Sequence, residues 1–131
     1  VGRVSNAMVG GDDYEILLHM HGEDWEIWYA PAMKAAHQIP KRRFERGYLT
    51  KLSRGSGLCV CQLRMINTQT WKKPFLFLKL LASNLRRVVL HWLKYRNKMQ
   101  TDLVAACEME FFIGSFISPF YYLQNLLFPQ G

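Results

Sequence analysis

Acidic residues are nearly missing from the middle of this 131-residue chain. From Lys34 to Lys98 there are sixteen Lys or Arg and one acid, Glu45, so the segment carries a net +15. Charge so one-sided cannot be neutralised by neighbouring ion pairs, which excludes an evenly mixed surface there. Cysteine is scarce and odd in number: Cys59, Cys61 and Cys107. No Asn-x-Ser/Thr sequon occurs, and no apolar signal-peptide core lies near Val1. Those absences argue against a disulfide-stapled secreted scaffold and for an intracellular setting, with nucleus or organelle matrix as suitable compartments. Also missing are a Gly-x-Ser-x-Gly elbow and a glycine loop followed by Lys-Ser/Thr. Ser53-Arg54-Gly55-Ser56-Gly57 has the glycines without that continuation and reads as a plain loop. Glu108 and Glu110 are two apart, about 200° around a helix, so they cannot form a general acid–base pair there. The chain is therefore read as non-enzymatic, with no catalytic residue and no cofactor.

What the sequence does contain is apolar bulk. Half of its residues are hydrophobic and 14% are aromatic, enough for a core and too many for global disorder. The length fits one domain. Residues 1–13, ending in Gly10-Gly11-Asp12-Asp13, read as a flexible tail, and 14–131 as a single domain. Net charge is +7 and pI about 9.5. Six of the ten acids lie between Asp12 and Glu26, so a small negative region stands beside a large positive one.

Hydrophobic periodicity gives an α+β expectation. Tyr14, Ile16, Leu18 and Met20 alternate with Glu15, Leu17, His19 and His21; Trp25, Ile27 and Tyr29 alternate after Gly22-Glu23-Asp24. That predicts a β-hairpin over 14–21 and 24–30. Leu58 to Ile66 alternates too, with Cys59, Cys61, Leu63 and Met65 on one face. A small antiparallel sheet from 14–30 and 58–73 is expected to pack on two helices, 75–98 and 103–128. The first is basic and amphipathic: Lys79, Arg86, Arg87, His91 and Lys94 oppose Phe77, Leu81, Leu85, Val88, Trp92 and Tyr95. The second is capped by Thr101 or Asp102 and interrupted at Pro119. Its run 111–128 holds eighteen residues without a charge, the lower limit for crossing a bilayer.

His19-x-His21 and Cys59-x-Cys61 supply four zinc-competent side chains, but on strands they would point in different directions. The expectation is core thiols, exposed histidines and no metal.

Residues 39–71 resemble the middle of the plant B3 DNA-binding domain. The pieces are Ile39-Pro40-Lys41 with Phe44, then Tyr48-Leu49, the segment Leu58 to Met65, a polar turn and Trp71. The resemblance implies strands after Phe44 and a DNA partner; no base-reading residue carries over.

The leading functional expectation is a nucleic-acid-binding protein or ribonucleoprotein component, with DNA or RNA as partner. Phosphates would be contacted by Lys41, Arg42, Arg43, Arg46, Lys51, Arg54, Lys72, Lys73, Lys79, Arg86, Arg87 and Lys94. The alternative is a small accessory subunit of a membrane-associated complex, anchored by 75–98 and 111–128. A protein–protein interaction domain within a larger complex is the third reading.

Overall fold

Cys61 and Met65 are four residues apart, and such a pair shares a face on a strand or on a helix. The computed structural model, which describes residues 12–128, takes the helix. There is no β-strand among the described residues, so the α+β expectation is overturned: the chain is all-helical. Its elements are α1 (Asp12–Gly22), a 3₁₀ turn (Lys41–Phe44), α2 (Arg46–Leu58), α3 (Val60–Ile66), a second 3₁₀ turn (Thr70–Lys72), α4 (Lys73–Tyr95) and α5 (Leu103–Leu127).

Each lost strand has a reason. In 14–21, Leu17 already broke the alternation, and α1 forms instead; Glu15 and Leu18 are half-buried. It is tied to α3 through Gln62 Nε2, which donates to Glu15 Oε2 at 3.2 Å, and through Asn67 Nδ2, which donates to the Leu18 carbonyl at 3.0 Å. Residues 24–30 have no regular structure and are exposed throughout. The expected loop Ser53–Gly57 lies inside α2. Gly57 in it serves closeness of approach: a Cβ there would collide with the Phe111 carbonyl, and one on Gly114 of the facing helix with the Arg54 carbonyl. Two backbones touch there because neither residue has a side chain. Residues 1–11, most of the predicted tail, lie outside the described residues; Asp12 and Asp13 open α1.

α5 is the axis of the molecule, with α2, α3 and α4 packed around it. Asp102 caps it as expected: Oδ1 accepts from the Val104 N–H at 2.9 Å and the Ala105 N–H at 3.3 Å. The interruption expected at Pro119 does not occur, and α5 runs straight through it. Proline lacks the N–H that would bond the carbonyl four residues back, leaving the Ser115 oxygen free. Two side chains fill the gap. Asn84 Nδ2 donates to that carbonyl from α4 at 3.0 Å, and Ser118 Oγ donates from within α5 at 2.7 Å.

α4 runs antiparallel along α5. Phe77 meets Phe120 edge-on at 6.2 Å, Asn84 meets Ser115, and His91 Nε2 donates to the Ala105 carbonyl at 2.9 Å. The first and last of these contacts are about 21 Å apart along α4. Beneath this pair, Cys61, Met65 and Leu80 form a small core with Tyr122 and Leu76 against it.

Candidate functional site

Two of the three buried side chains on α4 are polar: Asn84 and His91, beside Leu80. They select the seam with α5 because each finds a backbone oxygen there. With Asn84 at zero and about 100° per residue, the seam also takes in Phe77, Val88 and Tyr95. The apolar stripe expected to be the seam is displaced to one side. Phe77, Leu81, Val88 and Tyr95 are half-buried, but Leu78, Leu85, Val89, Trp92 and Leu93 are exposed, Leu93 to 57%. The wheel puts Leu78, Leu85, Val89 and Trp92 at about 80–140°, and Lys79, Arg86, Arg87 and Lys94 at about 200–300°. So α4 presents three faces: a polar-locked seam, an open apolar arc and a basic arc.

α5 adds to the apolar surface. Ile117, Phe120, Leu123, Leu126 and Leu127 are exposed along its C-terminal half. Among the described residues it is the one helix long and apolar enough to cross a membrane, and a third of its most apolar stretch is buried. The large apolar side chains left in the open far outnumber the five buried hydrophobic residues. Where such side chains form one contiguous patch, they mark a site for a lipid or protein partner.

The residues expected to contact phosphates fall into separate groups. Lys41, Arg42 and Arg43 are on the first 3₁₀ turn, with the Arg43 guanidinium 6.0 Å from the Tyr48 ring. Arg42, Arg43 and Lys51 border one open depression with Glu45 and Tyr48. Arg46 is committed elsewhere, donating through Nη2 to the Met99 carbonyl, and Arg54 is paired at 2.6 Å with Glu110 on α5. Lys72 lies 4.9 Å from the exposed Trp71 ring, and Lys73 is half-buried at the start of α4. Lys79, Arg86, Arg87 and Lys94 are all exposed on α4. A side-chain hydrogen bond with Tyr95 holds the Lys94 ammonium above the ordinary lysine range.

Sequence reasoning missed Arg64. Reading 58–66 as a strand set it beside Ile66. On a helix, Val60 and Arg64 are one turn apart, and both border a cleft that Lys79 and Arg87 enter from α4.

Cys61 and His91 are packed into the helix interfaces. Cys61 is fully buried, and burial pushes its thiol up to about 11, while Cys59 and Cys107 are half-buried. His91 is held by the Ala105 carbonyl, with Nδ1 3.7 Å from Glu108. No group of three or more His, Cys, Asp or Glu able to hold a metal occurs among the described residues. Compared with known proteins, the chain matches no family model, no curated protein and no solved structure. The segment resembling the B3 domain is helical where that resemblance implies strands.

Proposed function

We propose that this chain is a peripheral membrane-associated helical protein, lying on an anionic bilayer surface through the open apolar sides of α4 and α5. The observation that carries the reading is the apolar arc of α4, running from Trp92 through Leu85 and Leu78 to Val89, left uncovered with a basic arc beyond it. An amphipathic helix of this kind buries its apolar side at the headgroup boundary while its cations meet anionic lipid.

Electrostatics favours lying on the bilayer over crossing it. α5 spans about 37 Å, long enough to cross. But α4 is bound alongside it from Phe77 to His91, and Lys79, Arg86 and Arg87 are exposed in that stretch. Carrying each to the bilayer centre costs roughly 2.5–3.5 kcal/mol, about 8–10 kcal/mol for the three. Lying flat keeps Lys79 and Arg86 at the level of the headgroups and Arg87 on the side away from the bilayer, and still removes the apolar arc from water. The helix contacts suit such a setting. Gly57 against Gly114, and Asn84 against a backbone carbonyl, are packing devices that do not depend on burying large apolar side chains.

The test is flotation with vesicles of neutral lipid and of neutral lipid plus phosphatidylserine. The chain should float with the anionic vesicles, and Leu85→Ser with Trp92→Ser should abolish flotation. If the chain stays at the bottom of the gradient with both vesicles but is retarded by duplex DNA or RNA, the basic surface serves nucleic acid instead. If it forms stable dimers and floats with neither, the arc belongs to a protein interface.

A further inference from the structure

Three cationic residues from two helices line one partly enclosed cleft of about 270 Å³ where α3, α4 and α5 meet. Arg64 comes from α3; Lys79 and Arg87 come from α4 and are exposed at its mouth. Ser83 stands between them, completing a row at intervals of four residues along one side of the helix. No acid borders the cleft, and among the described residues none of the three cations is paired with a carboxylate. Like charges gathered this way repel each other unless an anion joins them.

A second observation comes from the buried end. Ser115 borders the same cleft and is 1% exposed, yet its hydroxyl has no hydrogen-bond partner. A buried polar atom left alone costs free energy and is uncommon in folded proteins. Its own carbonyl is already occupied by Asn84 and Ser118, so the hydroxyl is the polar group left over.

We infer that this cleft binds a phosphomonoester group. Such a group carries between one and two negative charges near neutral pH and three acceptor oxygens. Guanidinium groups bind phosphate oxygens in pairs, lysine contributes a point charge, and hydroxyls donate to what remains. Two arginines, a lysine and Ser83 supply this donor set, with the unpartnered Ser115 hydroxyl at its buried end, and a singly charged carboxylate would leave part of it unused. The phosphate belongs either to a lipid headgroup or to a soluble molecule. The membrane reading bears only on that choice of source; the cleft stands independently of it.

Two arms test this. Inorganic phosphate is titrated into the full chain while backbone amide shifts of Ser83 and Ser115 are followed. Saturable shifts are expected, weakened at least tenfold by Arg64→Gln with Arg87→Gln. Both are exposed positions, and superimposable melting curves will show that the fold is kept. Lys51→Gln, outside the cleft, should leave the affinity unchanged. In the second arm, flotation compares phosphatidic acid with phosphatidylserine at equal surface charge. A preference for phosphatidic acid of fivefold or more, lost in the double variant, supports the site and gives the lipid as source. Saturable phosphate binding without that preference supports the site with a soluble source. Phosphate binding with no flotation on any vesicle keeps the cleft and removes the membrane reading. Absent or non-saturable phosphate shifts, or equal affinity in the double variant, overturn the proposal, even where flotation on phosphatidylserine persists.

Discussion

Asn84 donates to the carbonyl of Ser115 at 3.0 Å, supplying from a neighbouring helix the hydrogen bond that Pro119 removes from its own. The bond locks α4 to α5 and lets a 25-residue helix pass through a buried proline. Asn84→Leu should destabilise by roughly 0.5–1.5 kcal/mol, since it removes one of two hydrogen bonds to a buried acceptor that Ser118 still satisfies. In a Pro119→Ala background the new N–H can take the vacated place, so the same change should cost less. Chemical denaturation of the four proteins gives the coupling directly; additive costs would show that the two residues act independently.

The glycines separate by environment. Gly114→Ala should destabilise by about 3 kcal/mol or more, because the new methyl meets the backbone of α2 rather than a movable side chain. At Gly47, also in α2, an added methyl would find nothing within 4 Å. Gly47→Ala should be neutral or stabilising, by up to about 1 kcal/mol. Thermal melts of the two variants check the contrast.

Cys61 is expected to label far more slowly than Cys59 and Cys107 in the native chain, being fully buried while they are half-buried. Its thiol is pushed from 9.0 to about 11 by burial, so the folded state holds the proton more tightly than the unfolded one. The stability this contributes is complete below about pH 9, falls as pH rises from 9 towards 11, and changes no further above that. Denaturation midpoints across this range should decline, and Cys61→Ala should flatten the decline.

Trp92 is 46% exposed and outside the seam. Trp92→Ala should therefore cost the free chain about 1–2 kcal/mol, well short of the loss of a fully packed ring. A loss of several kcal/mol would place the ring in a packed core instead.

How much of this is readable in the sequence follows from what decides each element. The two long C-terminal helices are legible because a 3.6-residue period and the Asp102 cap are local signals. The stretch 58–66 is not, because a short run apolar on both sides fits either period, and Gly55 and Gly57 beside it look like turn residues. The purpose of Gly57 shows only when Gly114, 57 positions later, is set against it. The face of α4 that is buried is also hidden. A wheel built on hydrophobicity favours Leu85 and Trp92, whereas the seam belongs to Asn84 and His91, whose acceptors lie on another helix. The basic character of Lys79 and Arg87 is plain from composition. Their meeting with Arg64 is not, since it depends on α3 being a helix.

In the proposed arrangement the chain lies flat on an anionic bilayer with the apolar arc of α4 in the headgroup boundary. The most direct measurement is the depth of Trp92 in anionic vesicles, with Trp25, Trp28 and Trp71 replaced by Phe and quenchers fixed at several acyl positions. A flat-lying chain gives strong quenching by shallow quenchers, weak quenching at the bilayer centre, and no quenching in neutral vesicles. Strong quenching at the centre would mean that the helix pair crosses the membrane, and no quenching in any vesicle would mean that the arc meets no lipid at all.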